Sequence, residues 1–380
     1  MPDEIKPAPK KHYLILFTLL IIVAGVAWFL YWLLYLQYYE STDDAYANGN
    51  FITINAAVKG SVVAYYADDT DLVEEGQLLV LLDDTPYKMA FERELAALAK
   101  ISLDVRQLYD NIPIKEAYLN TKETALSRAK YDFENRSRLI GTKAISGEDF
   151  THAQDAYASS HYQFEMAKSE LQSAFDAVGQ AAPENHPRIV EQKAKVMTAY
   201  YDLCRTKIYA PSTGYIAKRA VEVGEFADTN SPLMVVIPID YVWVDANFKE
   251  TQLSYMRIGQ PASIWFDIYG SRVKFTGKVL GIASGTGSTF SIIPPQNATG
   301  NWIKIVQRLP VRISIDPETL QKYPLRIGIS ANVDVNITDK DLPMLAVSPT
   351  KKAVGVTNVF SIDLKPVEQL IETIIKENLK

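Results

Sequence analysis

The sequence predicts a multidomain protein of mixed α and β structure. Its expected parts are an N-terminal transmembrane helix, a β-sandwich in two separated halves, a long antiparallel α-helical coiled-coil hairpin and an antiparallel β-barrel. Three observations predict this class: an uncharged apolar run near the N-terminus, a diverged internal repeat of short alternating segments, and a heptad period between the two repeats. At 380 residues the chain is too long for one hydrophobic core.

The charge balance and the cysteine content narrow the function. Lys and Arg number 39 against 45 Asp and Glu. Because this mildly acidic balance provides no basic footprint, we expect no nucleic-acid partner. The single cysteine, Cys204, cannot form an internal disulfide, and we interpret it as a buried structural thiol.

The N-terminal apolar run indicates a membrane anchor. Residues 13–36 carry no charge and exceed the ~20 residues that span a bilayer. Lysines precede the run and acidic residues follow it. The positive-inside rule therefore predicts a cytoplasmic tail at 1–12, a permanent span at 13–36 and an external membrane-proximal segment at 37–50. The alternative is a cleaved signal peptide, which would have a shorter apolar region.

A diverged repeat indicates two halves of one β module. Residues 54–60 align with residues 208–214, and each half alternates apolar and polar residues around turn-forming residues. Each half alone is too small to bury a core, so we expect residues 51–84 and 206–240 to form one sandwich. Further aligned pairs are Val62 with Ile216, Thr70 with Gly224, Gly76 with Asn230, Leu79 with Leu233, and Leu81 with Val235.

Between the halves, residues 85–205 follow a helical period. They predict two antiparallel arms, 86–139 and 147–205, joined by a tip near 139–147. Such arms would project the tip by roughly 80 Å. The predicted seam of the second arm contains Phe150, Tyr157, Phe164, Leu171 and Val178, with Ala153, Ser160, Ala167 and Ala174 between them.

Prolines predict an interruption in each arm. The first lies at 111–113, where Pro113 removes a helix hydrogen bond, and the second lies at 183–187.

The C-terminal part predicts a second β domain and a final helix. Residues 241–338 contain period-two segments separated by glycine and proline, which indicate a small antiparallel barrel. Within it, 281–300 has the composition of a long exposed loop. The segment 339–380 ends in an amphipathic helix, which we expect to pack on the protein itself; binding to a membrane surface is the alternative.

Several local motifs carry a family resemblance. They are Thr42-Asp-Asp-Ala-Tyr-Ala-Asn-Gly-Asn50, Tyr209-Ala-Pro-Ser-Thr-Gly214, Val242-Trp-Val-Asp-Ala-Asn-Phe-Lys-Glu250, Gly259-Gln-Pro261 and Asn297-Ala-Thr-Gly-Asn-Trp-Ile-Lys-Ile-Val-Gln-Arg-Leu-Pro310. With the predicted anchor, split sandwich, hairpin and barrel, they resemble the HlyD-like membrane fusion proteins, or periplasmic adaptors. The motifs are most similar to those of the EmrA branch, and the resemblance covers about residues 10–338.

This resemblance implies a lipoyl-like sandwich and a role in export. It implies a periplasmic adaptor, held by one span in the inner membrane of a Gram-negative bacterium, in a tripartite efflux or secretion system. The adaptor would couple an inner-membrane transporter of the major facilitator type to a TolC-like outer-membrane channel. Hydrophobic toxic compounds or drugs would be the substrates, and we expect a homo-oligomer.

The resemblance also implies a docking motif at the tip. Adaptors of TolC-like channels often carry an arginine, then a leucine four residues on, then a serine seven further. Leu139 and Ser146 match the last two places, but Asn135 stands at the arginine place, and Arg136 and Arg138 are its neighbours. These four, Leu139, Ser146, Arg136 and Arg138, are the predicted channel-docking residues. The alternative is that Leu139 and Ser146 are ordinary turn residues.

No residue pattern indicates catalysis or a cofactor. The four histidines lack the i, i+4 spacing of metal ligands, so we expect neither a metal site nor an enzyme. Lys88 lies near the position that lipoyl and biotinyl carriers modify, but a helix is predicted there. A carrier component, or an envelope tether that binds no transporter, remain the alternative functions.

Overall fold

The computed structural model describes residues 10–142, 144–239, 241–287, 289, 306–346, 348–349, 351 and 353–380. The helices are α1 Lys10–Leu34, α2 Thr85–Leu139, α3 Gly147–Val178, α4 Pro187–Cys204, α5 Pro317–Lys322 and α6 Lys365–Leu379. The strands are β1 Tyr39–Gly49, β2 Ile52–Asn55, β3 Gly60–Tyr65, β4 Leu72–Val73, β5 Leu78–Leu82, β6 Lys207–Tyr209, β7 Gly214–Arg219, β8 Phe226–Ala227, β9 Pro232–Pro238, β10 Val242–Lys249, β11 Pro261–Phe266, β12 Phe275–Ile282, β13 Arg308–Ser314 and β14 Ser330–Asn336.

The N-terminal helix has the length and composition of a membrane span. The stretch Tyr13–Tyr38 is apolar enough to cross a bilayer, and its most apolar part is not buried against any other described part of the chain. Exposed apolar surface of this extent is typical of a segment that spans a bilayer. The helix passes almost directly into β1, where the rings of Tyr35 and Tyr39 stack at 4.9 Å.

The barrel closes with a strand that the sequence did not predict. Its order is β1-β10-β13-β12-β11-β14, and every neighbouring pair is antiparallel. The interpretation of 37–50 as a separate membrane-proximal segment, with the barrel confined to 241–338, was therefore wrong. β1 buries only small side chains, Thr42, Ala45 and Ala47. Buried and exposed residues alternate along the strand, but the buried ones are not hydrophobic enough for the sequence to show this alternation.

The two repeats form one sandwich, as predicted. Its sheets have the orders β2-β9-β7-β4 and β6-β5-β3-β8, so each half contributes two strands to each sheet. Equivalent hydrogen bonds cross between the halves: Ala56 N donates to Ser231 O at 2.9 Å, and Ala210 N donates to Gln77 O at 2.9 Å. Neither half has a complete sheet without the other, which is why the long insertion between them does not divide the domain.

Backbone conformation confirms the alignment of the repeats. Thr70 has φ 76° where its aligned partner Gly224 has φ 86°, and Gly76 has φ 82° where Asn230 has φ 71°. Thr70 and Asn230 are the only non-glycine residues with positive φ in the described part of the chain. Left-handed backbone is uncommon outside glycine. Both turns are therefore kept in both halves even where the residue type has changed.

The helical hairpin is present, but only one of its two predicted interruptions occurs. The first arm, α2, runs without a break through Pro113. The second arm divides into α3 and α4, with Gly179 at φ 67° ending α3, Pro183 in the connection and Pro187 as the first residue of α4. One missing hydrogen bond is offset by the packing of a long helix, whereas a left-handed glycine followed by two prolines ends it.

The final helix packs on the protein itself, as predicted. α6 lies against the base of the hairpin and completes a three-helix cluster with α2 and α4. The buried side chains of this cluster are Leu98, Val105, Ile189, Val196, Val367, Ile371 and Ile375. Most of the predicted loop 281–300, and residues 297–305 of the last motif, lie outside the described residues.

Candidate functional site

The hairpin tip is a short connection between two well-formed helix ends. α2 ends at Leu139, residues Ile140–Thr142 form one turn of 3-10 helix, and α3 begins at Gly147. The arms bring the four predicted docking residues to this one end of the molecule. Ser146 and Arg136 both contact Asp149, whereas Arg138 contacts residues of its own helix.

Ser146 is the N-cap of α3. Its Oγ accepts a hydrogen bond from Asp149 N at 3.1 Å and donates one to Asp149 Oδ2 at 2.7 Å. The Ser146 hydroxyl is the largest cause that lowers the pKa of Asp149; the Ser146 backbone and the charge of Arg136 lower it further. A serine in this position satisfies an otherwise unpaired amide of the first helical turn. Its hydroxyl therefore has a structural role that needs no partner protein.

The two arginines are held by the hairpin itself. Arg136 Nη1 donates across the tip to Asp149 O at 3.1 Å, and Arg136 Nη2 lies 3.3 Å from Asp132 Oδ2. Arg138 Nε donates to Glu134 O at 3.4 Å, and its Nη2 donates to the Asn135 side chain. The side chain of Asn135, which stands at the usual arginine place, thus accepts a hydrogen bond from Arg138. Arg136 joins the two arms at the tip.

An exposed apolar pair is the feature of the tip best suited to contact another protein. The Leu139 side chain is 44% exposed, and that of Ile140 is 43% exposed. Ile140 was missing from the predicted docking residues. The available signal was an apolar dipeptide at the point where the period of the first arm ends.

Directly before the tip, aromatic rings join the arms. The Phe133 ring lies 5.6 Å from that of Phe150 and stacks on that of Tyr157 at 5.5 Å with an interplanar angle of 5°. Farther from the tip, Lys115 Nζ lies 2.8 Å from Glu170 Oε2 on the opposite arm. Aromatic pairs of this kind contribute about 0.5–1.5 kcal/mol each beyond their burial. These contacts between α2 and α3 therefore hold the two arms together below the tip.

The predicted seam residues lie along the contact between α2 and α3. Phe150, Tyr157, Phe164 and Leu171 are half-buried, and Val178 is buried. The alanines between them are buried more completely, and Ala167 is 0% exposed. The close approach of the arms thus depends on these small side chains, which the aromatic positions flank.

The residues considered for chemistry lie apart from the tip. Lys88 is in the first turn of α2, paired with Asp84 at 2.9 Å. Cys204 is only half-buried, so the prediction of a fully buried thiol was wrong. Within the part of the chain that the structure describes, no three His, Cys, Asp or Glu side chains are grouped so that they could hold a metal ion.

Replacement of Ser146 tests whether the serine caps or docks. We expect Ser146→Ala to lower the stability of the first turn of α3 by about 1 kcal/mol, and Ser146→Asp to restore it, because aspartate is also a good N-cap. The measurement is hydrogen exchange at the Asp149 amide. If export fails equally in both variants while this amide remains protected in Ser146→Asp, the hydroxyl itself is needed by a partner.

Comparison with known proteins identifies the family. A family model described as the α-helical hairpin domain of EmrA matches residues 85–206. The multidrug export protein EmrA of Escherichia coli K12 is 44% identical over 354 residues, which are 93% of this chain and 91% of that protein. The chain belongs to the EmrA branch of the membrane fusion proteins.

Two further similarities accompany this assignment. The multidrug export protein EmrA of Haemophilus influenzae is 39% identical over 369 residues, 97% of this chain and 95% of that protein. A solved structure of the periplasmic adaptor protein EmrA covers 79% of this chain and 98% of its own, at 20% identity and a TM-score of 0.39. The two relatives are thus multidrug export proteins, and the solved structure is that of a periplasmic adaptor protein.

Proposed function

We propose that this chain is the periplasmic adaptor of a tripartite export system for hydrophobic toxic compounds or drugs. It couples an inner-membrane transporter of the major facilitator type to a TolC-like outer-membrane channel. The observation that carries the proposal is the hairpin, in which α2 alone has 55 residues. At 1.5 Å per residue it places the apolar pair Leu139 and Ile140 roughly 80 Å from the sandwich. A hairpin of this length allows the tip to contact a partner far from the sandwich.

The anchored end supports the orientation of the adaptor. The helix of the apolar stretch Tyr13–Tyr38 enters the barrel at β1, so the barrel is held next to the membrane. Lysines occur before the span and acidic residues after it, which favours a cytoplasmic N-terminus and a periplasmic body. The tip then points toward the outer membrane. A ring of several copies would surround a conduit, which is why we include a homo-oligomer in the proposal.

The alternative of an acyl or biotinyl carrier is not favoured. Lys88 is not at a turn between the two sandwich halves; it lies on α2, paired with Asp84. A carrier lysine is presented at an exposed turn, where an enzyme can reach it. Lys88 instead lies in a helix that continues into the three-helix cluster.

The test is co-purification of partners from native membranes in mild detergent. We expect the tagged full chain to bring down both an inner-membrane transporter and an outer-membrane channel. The matched variant replaces residues 116–169 with a short Gly–Ser turn, which is possible because Lys115 and Glu170 face each other at 2.8 Å. This variant should keep the transporter and lose the channel. A wild-type chain that brings down neither protein would be an envelope tether, and the proposal would be wrong.

A further inference from the structure

A large open cavity lies where the sandwich, the hairpin base and the C-terminal segment meet. Its volume is about 1260 Å³, against the roughly 300–1,000 Å³ usual for ligand pockets. One wall is formed by the edge strands β2 and β6, a second by the last turn of α4, and a third by residues 354–363, which we term the C-terminal strap. The cavity is at the opposite end of the hairpin from the docking tip.

The lining is mainly aromatic and aliphatic. Tyr200, Tyr201, Tyr209 and Tyr241 contribute rings, with hydroxyl groups as polar ends. Four other lining side chains expose between 70% and 76% of their surface: Phe51, Val354, Val356 and Phe360. Apolar surface on this scale around a concave site is favourable to cover, at roughly 25 cal/mol per Å². Three of the four belong to the C-terminal strap, so a bound molecule would be covered by it.

The charges of the lining select the class of molecule. Of its two acidic groups, Asp84 pairs with Lys88 at 2.9 Å, whereas Asp363 Oδ1 accepts only a backbone hydrogen bond from Lys365 N at 3.0 Å and keeps its negative charge. Arg205 and Lys207 also line the cavity, and neither forms an ion pair with any residue that the structure describes. Arg205 and Lys207 thus carry two positive charges against the single negative charge of Asp363, so the lining has a net positive charge.

The position of Arg205 also suits an anion with an apolar body. Its guanidinium carbon lies 4.3 Å from the ring centroid of Tyr201, so cation and ring share one surface. A planar guanidinium held in this way binds a carboxylate or sulfonate through paired hydrogen bonds, while the ring contacts the apolar part of the same molecule.

We propose that this cavity binds a hydrophobic organic anion. The apolar body lies between the sandwich edge and the C-terminal strap, and the acidic group lies at Arg205 and Lys207. Such a molecule contacts α4 and the sandwich together, so its binding would stiffen the joint from which the hairpin projects. The inference rests on the proposed function only for the origin of the ligand among exported compounds, since binding is a property of this chain alone.

The reactivity of one thiol can report whether this cavity is occupied. Cys204 is its only cysteine, it is half-buried, and it lines the cavity. Burial, and next the neighbouring Cys204, raise the pKa of Tyr200, which places that hydroxyl beside the thiol. A molecule in the cavity must therefore shield the thiol from a reagent in solution.

The experiment measures N-ethylmaleimide labelling of the full chain in lipid nanodiscs. We expect the anion 1-anilinonaphthalene-8-sulfonate to slow labelling of Cys204 at least about tenfold at saturation, because a bound molecule must leave before the reagent enters. The neutral N-phenyl-1-naphthylamine should protect more weakly, and the cation rhodamine 6G should protect least. Equal protection by all three probes, or none by the anion, overturns the proposal. So does a thiol that is unreactive without any probe, because another segment or copy would then fill the cavity.

Paired variants test the roles of the charges. Arg205→Gln combined with Lys207→Gln should weaken the apparent affinity for the anion about tenfold or more and leave that for the neutral probe nearly unchanged. Because Arg205 is next to the thiol, protection is expressed as the ratio of labelling rates with and without probe in each variant. The control, Arg188→Gln combined with Lys218→Gln, removes two exposed cations outside the cavity and should change nothing.

Failure of this proposal is distinct from failure of the proposed function. If the anion does not protect Cys204 while both membrane partners still co-purify, the cavity is not a binding site and the adaptor assignment stands. If protection occurs and the partners are absent, the binding site stands without the assigned coupling role.

Discussion

Leu139→Asp should abolish export and remove the outer-membrane partner from the purified complex, while the inner-membrane transporter stays bound. A side chain that is 44% exposed at the end of the hairpin contributes little to folding, so the chain should still insert and fold. Covered by a partner, the same side chain can be worth about 2 kcal/mol or more, and a carboxylate there would also have to be desolvated. The measurement is co-purification of both partners, together with survival on toxic hydrophobic compounds.

The matched control for this variant is Leu103→Asp. Leu103 lies on the same helix, α2, is also 44% exposed, and is close to the base of the hairpin. The change in charge is the same at both positions, although Leu139 is the last residue of α2, where an aspartate also meets the negative end of the helix dipole. Leu103→Asp should leave both partners bound. If Leu139→Asp behaves like Leu103→Asp, the tip is a passive turn and channel docking occurs elsewhere.

Ala167→Asp should separate the arms and abolish function by a different route. Ala167 is 0% exposed in the contact between α2 and α3. A carboxylate there would be buried without a partner in a space sized for a methyl group, at a cost of about 3 kcal/mol or more. We expect lost helical content and rapid proteolysis within 113–170, with the sandwich and barrel intact. Circular dichroism and limited proteolysis measure this directly.

The control for the seam is an alanine on the outer face of the same helix. Ala156 is exposed on α3, so Ala156→Asp adds the same charge without burying it. It should leave the melting of the hairpin and export nearly unchanged. Leu171 is the less sensitive position although it shares the heptad pattern, because it is only half-buried and an aspartate there could reach water. Similar proteolysis of both alanine variants would show that the arms do not depend on close contact at Ala167.

The periodic parts of the chain were predictable because their signals are local. A heptad pattern in α3 and an alternating pattern around residues 54–60 and 208–214 follow from which face of each element is buried. The repeat also aligned Thr70 with Gly224 and Gly76 with Asn230, and the structure adds that all four have left-handed backbone. Pro113 shows the limit of such rules, because a local cost was outweighed by the length of α2.

The position of the candidate site at the hairpin tip could be predicted from the sequence, but the contacts of its side chains could not. The heptad patterns located the tip, and the family motif indicated Leu139 and Ser146. Nothing in that motif showed that Ser146 caps α3, that Arg136 donates across the tip, or that Ile140 is as exposed as Leu139. Capping and exposure depend on how the helix ends meet, and one sequence window does not contain that information.

By itself, the sequence determined the N-terminal apolar helix, the helical arms, the paired halves of the sandwich and the family, since each has a signature in neighbouring residues or in a repeat. Only the tertiary structure decided which distant segments meet. It placed β1 in a barrel whose other strands begin at residue 242, and it put α6 on the base of the hairpin. It also brought the C-terminal strap beside β2, β6 and Arg205 to form the cavity. The physical reason is that hydrophobic burial is not directional: a strand or helix specifies that one face must be covered, and the assembled chain decides what covers it.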